Sequence, residues 1–115
     1  MEKKFEIKFL EEAFEFIKSQ SDKIQDKIFY NIRKAQILND PKLFKKLNQN
    51  IWEFRTKYAG LQYRILAFWD KENNDIALVC GTHGFVKKTD KVSSKEIEKA
   101  EQIRIEYFKS KKKKR

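Results

Sequence analysis

Three strand-like segments follow one another between residues 51 and 89, and they constrain the fold more than any other part of the chain. Trp52 and Phe54 alternate with charged residues, which is the period of a half-buried strand. Turns are predicted at Ala59-Gly60 and over residues 71–75, where Gly and Asn cluster. The predicted strands cover residues 51–57, 61–69 and 76–80. We therefore predict a three-stranded antiparallel meander that ends in a Gly-rich loop bearing Lys87 and Lys88.

The remaining segments complete a single α+β domain. Residues 5–9 alternate as a further strand, and apolar residues then recur at helical spacing in two stretches separated by Ser21-Asp22. A last helix is predicted from Ser93. The order β-α-α-β-β-β-α implies an antiparallel meander packed on a helical hairpin, with a C-terminal helix. We expect one domain over residues 1–110 and a disordered basic tail over residues 111–115.

The positive charge of the chain is concentrated in two places. The net charge is +10, yet residues 1–41 and residues 65–110 each hold equal numbers of acidic and basic residues. Residues 42–64 hold six Lys or Arg against Glu53 alone, and the tail supplies the rest. Local charge of this kind concentrates and steers an anionic partner. Without a matching cluster of carboxylates, it favours a polyanion such as RNA over a metal ion.

Other features restrict the compartment. Cys80 is the only cysteine and cannot form an intramolecular disulfide. The N-terminus does not resemble a signal peptide. The longest apolar runs, residues 65–69 and 76–80, are far shorter than the ~20 residues that span a bilayer. The sequence predicts a cytoplasmic protein without a membrane partner.

Several short motifs occur in an order that resembles a known family. The motifs are LFKKL at 43–47, IWEFR at 51–55, YRIL at 63–66, HGFVKKT at 83–89 and SSKEIEKA at 93–100. Together they resemble the HigB-type, phage-derived branch of the RelE toxin superfamily. The resemblance implies a RelE-like fold and the toxin of a type II toxin–antitoxin system that cuts mRNA in the ribosomal A site. It also implies attack by a ribose 2′-hydroxyl without metal or cofactor, contact with 16S rRNA, and oligomers formed with a helix-turn-helix, HigA-like antitoxin.

The resemblance also assigns roles to basic residues. Arg64 is expected to bind the phosphate and its transition state, because a guanidinium matches phosphate oxygens bidentately. Lys87 and Lys88 correspond to the family's basic pair, of which one binds phosphate or donates a proton. Arg55 is expected to bind RNA or hold the site together. The RNA-binding set is completed by Lys45, Lys46, Lys57 and Phe85.

The general base is the part of the site that the resemblance does not supply. Ile51 and Glu53 stand where the RelE prototype has two lysines. Glu53 is a candidate base, with His83 or a lysine as the acid. Glu53 is equally open to a structural role beside Arg55 or Arg64, since opposite charges on neighbouring strands pair readily. His83 could instead cap a loop, and Phe85 could be a core residue rather than a platform for a base.

Two other functions fit the same scaffold. A non-catalytic RNA or ribosome binder would have the same basic surface without a competent acid–base pair. A ParE-like gyrase inhibitor would share the fold. The basic pair in HGFVKKT favours the HigB-type function over the ParE-like one.

Overall fold

The computed structural model describes residues 2–72, 76–88 and 91–113, and its class is α+β as predicted. The helices and strands follow one another along the chain with these bounds: β1 (Glu6–Phe9), α1 (Glu11–Lys18), α2 (Asp22–Ile37), β2 (Phe44–Lys46), β3 (Trp52–Tyr58), β4 (Leu61–Asp70), β5 (Leu78–Lys87) and α3 (Ser94–Lys113). They form one sheet in the order β1-β5-β4-β3-β2. Strands β2 to β5 are antiparallel neighbours, whereas β1 lies parallel to β5.

The sheet is covered by helices on both faces. Helices α1 and α2 pack on one face, where Ile17 and Ile28 contact Phe54 and Ile65 of the sheet in the larger hydrophobic cluster. Helix α3 packs on the opposite face through Ala100, against a smaller cluster. We call this second side the α3 face; its buried apolar sheet residues are Leu66, Phe68 and Cys80.

The first hairpin of the meander forms as predicted. Ala59 and Gly60 both have positive φ, of 51° and 81°, as the tight turn between β3 and β4 requires. The predicted connection between β4 and β5 cannot be compared in full, since residues 73–75 lie outside the described part of the chain.

Three predictions about the elements need correction. Strand β2 was not predicted; it is only three residues long and pairs with the edge of β3. The Gly-rich loop is wrong, because β5 continues through Gly81 and Gly84 as far as Lys87. Gly84 fits there because the Phe16 ring of α1 occupies the place of a Cβ atom, which would lie 2.2 Å from Phe16 Cδ2.

The third correction concerns the basic tail. Helix α3 continues through Lys113, so a disordered tail is wrong for residues 111–113. The helix is held there by Lys111, whose Nζ lies 2.7 Å from Asp70 Oδ2 and 2.9 Å from Glu72 Oε1. Residues 114–115 lie outside the described part. Among the helices of the described residues, none is long and apolar enough to cross a membrane.

Candidate nucleic-acid site

The strand register places the predicted site residues in three successive rows across the α3 face. The register pairs Arg55 with Arg64 and Leu66 with His83, and side chains two residues apart on a strand point to the same face. The first row is Lys45–Glu53–Leu66–His83, the second is Arg55–Arg64–Phe85, and the third is Lys57–Gln62–Lys87. We call these three rows the site face.

Two predicted residues lie outside the site face. Lys46 pairs with Trp52 and so belongs to the opposite face of the sheet. Lys88 follows the last residue of β5 and is exposed. The remaining predicted residues, which come from four strands, share one surface because neighbouring strands are only ~4.8 Å apart.

A cluster of three charges, two of them buried, forms the centre of the site face. Glu53 and Arg64 are 3% and 2% exposed, and Arg64 Nε lies 3.1 Å from Glu53 Oε1. Arg55 Nε lies 3.8 Å from the other carboxylate oxygen. Glu53 is therefore a structural partner of both arginines, one of the two roles considered for it.

The cluster leaves polar atoms without hydrogen bonds. The N–H of Arg64 Nε does not point at Glu53 Oε1, so the pair is close but not hydrogen-bonded. Among the described residues, Glu53 Oε1, Arg55 Nε and Arg64 Nε have no hydrogen-bond partner, although each atom is buried. Such atoms are uncommon in folded proteins and often mark sites where a ligand or water completes the bonding. The centre of the site face thus contains two N–H donors and one carboxylate acceptor that form no hydrogen bond with the described residues.

The rest of the Arg64 guanidinium is held by β4. Its Nη1 donates to the carbonyl of Tyr63 at 3.2 Å, and its Nη2 donates to Gln62 Oε1. Burial lowers the pKa of Arg64, the neighbouring carboxylate of Glu53 opposes this, and the Arg55 cation adds to it. The group remains a cation at neutral pH. Gln62, which orients this guanidinium, was not predicted; its signal in the sequence was its position two residues before Arg64 on the same predicted strand.

His83 lies within β5 and is buried, so the Gly-flanked loop predicted for it is wrong. Its Nδ1 lies 3.1 Å from the hydroxyl of Thr82, and its Nε2 lies 3.1 Å from Glu96 Oε1 at the start of α3. Burial lowers the pKa of His83 and outweighs the opposing effect of Glu96. Both ring nitrogens are engaged, and the residue links the sheet to α3. Phe85, half-buried, packs with the hydrophobic cluster of the α3 face.

No group of three or more His, Cys, Asp or Glu residues suited to hold a metal occurs within the described ranges. The cations of the site face point instead to an anionic ligand.

A search of curated proteins gives no significant match. A family model described as "Phage derived protein Gp49-like (DUF891)" matches residues 15–104, a span that includes every predicted site residue and most of the chain. The chain therefore belongs to the Gp49-like family of phage-derived proteins, which is a RelE/toxin-like family.

Proposed function

We propose that this protein is the HigB-type toxin of a type II toxin–antitoxin system, and that it cuts mRNA in the ribosomal A site. The observation that carries the proposal is the site face, where Arg55 and Arg64 flank a buried carboxylate, Glu53, and Lys87 lies in the third row of the same face. A phosphodiester offers charges and oxygens that complement this arrangement. Membership of a toxin-like family supports the same direction.

The proposed reaction is transesterification without a metal. A base takes the proton of the ribose 2′-hydroxyl, and the oxygen then attacks the adjacent phosphorus. The bond to the 5′-oxygen breaks, and that oxygen receives a proton from an acid, which leaves a 2′,3′-cyclic phosphate and a 5′-hydroxyl. Fixed cations stabilise the negative charge that develops on the phosphoryl oxygens.

The contacts favour particular residues for these roles. Glu53 is the proposed base, because its Oε1 has no hydrogen-bond donor among the described residues. Arg64, supported by Arg55, binds the phosphoryl oxygens. Lys87 or Lys88 is the proposed acid. We prefer these lysines to His83, which is buried between the sheet and the start of α3.

The proposal includes the partners of such a toxin. The substrate is mRNA held in the ribosomal A site, and Lys45, Lys46, Lys57 and Phe85 contact the mRNA or 16S rRNA. A HigA-like helix-turn-helix antitoxin neutralises the toxin in an oligomeric complex in the cytoplasm. Neither metal nor cofactor takes part.

A non-catalytic RNA or ribosome binder is the second candidate. It is supported by the burial of Glu53 and His83, since both candidate acid–base groups are already engaged in contacts within the protein. A ParE-like gyrase inhibitor differs from both candidates because it would damage or relax chromosomal DNA and leave mRNA intact.

The test is to map mRNA 5′ ends in cells that express the protein. We expect growth arrest and new 5′ ends inside translated codons, rescued by the adjacent antitoxin. Arg55→Ala combined with Lys87→Ala should reduce cleavage by at least about 100-fold, because two donors to the transition state are removed. Lys18→Ala, which removes an exposed cation from α1, is the control and should cleave normally.

The other outcomes assign the alternatives. Growth arrest with intact mRNA and ribosome-bound protein would favour the non-catalytic binder. Intact mRNA with relaxed or broken chromosomal DNA would favour gyrase inhibition.

A further inference from the structure

Helix α2 carries a row of cations beside the site face, at the free edge of β3. Strand β2 pairs with residues 52–54 of β3, so no strand of the described residues borders the last four residues of this edge, beyond Phe54. Asn31 of α2 occupies part of this edge. Its Nδ2 donates to the carbonyl of Arg55 at 3.5 Å and to Thr56 Oγ1 at 3.3 Å.

The anchoring of Asn31 determines where the neighbouring lysines lie. Lys27 and Lys34 are one turn before and one turn after Asn31, so they share its side of α2. Both line a cleft of about 460 Å³, which we call the edge cleft. Arg55, Lys57 and Arg64 of the site face also line it. The cleft thus joins the site face to helix α2.

The edge cleft is strongly basic. Its cations are Lys27, Lys34, Lys42, Arg55, Lys57 and Arg64. Among the described residues, no carboxylate lines it. Arg55 and Arg64 direct their Nε atoms toward the carboxylate of Glu53, at 3.8 Å and 3.1 Å. An anion in the cleft would therefore be held mainly by the lysines that line it.

A second groove continues from the edge cleft along α2. It has a volume of about 640 Å³ and shares Lys27 with the edge cleft. Two tyrosines, Tyr30 and Tyr58, line it together with further cations from α2 and one carboxylate, Asp26. We call it the α2 groove. Its alternation of aromatic rings and cations is typical of surfaces that bind single-stranded nucleic acid.

Tyr30 is the most accessible ring of the α2 groove. It is 50% exposed, and Nζ of Lys27 and Nζ of Lys34 each lie 5.4 Å from its ring centroid. A cation–π contact at an exposed position is weaker than the stacking of a base on an aromatic ring. A nucleotide could therefore displace a lysine from the ring, while that lysine moves to the nucleotide's phosphate.

We propose that the edge cleft and the α2 groove form a second RNA-binding surface, which holds the strand that continues from the site face. Phosphates would lie along Lys27 and Lys34, and a base would stack on Tyr30. The inference rests on the proposed function in taking RNA as the ligand, but it requires binding only and no cleavage.

The test measures binding of a single-stranded 2′-O-methyl RNA of about twelve nucleotides, sized to span several nucleotide sites. This RNA lacks the attacking hydroxyl and is not a substrate for the proposed reaction. Fluorescence anisotropy of the labelled RNA gives Kd over a range of salt concentrations. The α2 variant is Lys27→Ala/Lys34→Ala, and the matched control is Lys109→Ala/Lys112→Ala, which removes equal charge from exposed positions on α3.

We expect the α2 variant to bind more weakly and to show a smaller salt dependence. The slope of log K against log salt should fall by about 1.4 in magnitude, because each cation lost from a single-strand site contributes ~0.7. Tyr30→Ala should weaken binding about tenfold without a change in this slope, through lost stacking. The α3 control should keep the slope and the affinity of the unmodified protein to within about twofold, since long-range charge effects are screened in salt.

The inference would be overturned if the unmodified protein showed no measurable RNA binding, or if the α2 and α3 variants lost equal RNA affinity. It would also be overturned if Tyr30→Ala left RNA affinity unchanged and the protein bound polyglutamate, a polyanion without bases, as tightly as RNA. If cellular mRNA cleavage occurs but the α2 variant binds normally, this inference fails and the proposed function stands. If cleavage is absent while binding depends on Lys27, Lys34 and Tyr30, the proposed function fails and the second surface stands.

Discussion

At the scale of single residues, the burial of Arg64 determines what a substitution there would measure. The guanidinium is the counter-charge of a carboxylate that is itself only 3% exposed. Removal of one partner of a buried ion pair leaves an uncompensated charge in the interior. Loss of activity in an Arg64 variant would therefore report on folding as well as on chemistry.

Arg64→Ala should lower the free energy of unfolding by about 3–5 kcal/mol, because Glu53 stays buried with only Arg55 beside it, at 3.8 Å. Glu53→Gln in the same background should recover part of this loss, since it removes the buried charge. Urea denaturation followed by circular dichroism measures both variants. The control is Lys57→Ala, at an exposed position on β3, the strand of Glu53, and it should change the free energy of unfolding by less than about 0.5 kcal/mol. A double variant no more stable than Arg64→Ala would contradict the prediction.

The sequence allows the shared face of most residues of the site face to be predicted, but not their burial or their contacts. Alternation along β3 places Glu53 and Arg55 on one face, and the order of the strands brings Arg64 to the same face. The contact between Glu53 and Arg64 depends on the register, which makes Glu53 the diagonal neighbour of Arg64. A shift of one residue would separate them. Register is set by the whole sheet, so the buried pair could not be predicted from local pattern.

At the scale of secondary-structure elements, β5 shows how a glycine can be required by a neighbour rather than by a turn. Gly81 and Gly84 suggested a loop, yet both lie within a strand against α1. The pattern of the strand itself does not reveal this, because the constraint comes from Phe16, nearly seventy positions earlier in the chain. Strand β2 escaped prediction for a similar reason: Phe44–Lys46 forms a strand through its pairing with β3, and two lysines give it no apolar period.

Gly84→Ala should destabilise the protein by about 1–3 kcal/mol, because the new methyl group would overlap the Phe16 ring. Phe16→Leu should relieve the clash, so that the double variant is more stable than the two separate losses predict. Thermal or urea unfolding of the four proteins of this cycle gives the coupling energy.

Gly60→Ala is the control for this cycle. It loses stability through its positive φ of 81°, since no atom of the described residues lies within 4 Å of the added Cβ, and the loss should be insensitive to Phe16. Additive losses for Gly84→Ala and Phe16→Leu would show that α1 does not require the glycine.

At the scale of the whole molecule, charge counted along the chain differs from charge counted in space. The first 41 residues have no net charge, so a count along the chain gave no sign that the lysines of α2 line the edge cleft. The tail was expected to be unpaired, yet Lys111 closes the far end of the sheet through Asp70 and Glu72. Lys111 of α3 thus has acidic partners within the protein, whereas Lys27 and Lys34 of α2 line a cleft.

Lys111→Met should lower the free energy of unfolding by about 1–3 kcal/mol at neutral pH, because Asp70 is 1% exposed and loses a charged donor. Tyr107 would remain its partner, donating at 2.6 Å. Lys112→Met, one residue further along the same helix and exposed, should have little effect and is the control.

The pH dependence of the Lys111 variant tests the same contact. Burial raises the pKa of Asp70, but hydrogen bonds from Lys111 and Tyr107 more than offset this, so the pKa lies below its ordinary 3.8. A carboxyl with a lowered pKa in the folded state stabilises the fold above its ordinary pKa and loses that contribution as pH falls through the folded value. The stability difference between the protein and Lys111→Met should therefore be constant near neutrality and shrink below about pH 4. A difference that grows on acidification would contradict this assignment.

The parallel pairing of β1 with β5 has a consequence for synthesis. Glu6 finds its partner, Leu78, only when the last strand of the sheet has been made, and that strand also supplies His83, Phe85 and Lys87 to the site face. Folding that requires such a distant pairing is slow compared with local helix formation. A nascent chain without β5 lacks a complete site face. On the proposed function, the ribosome that makes this protein must have translated the message through β5 before the product can act on a ribosome.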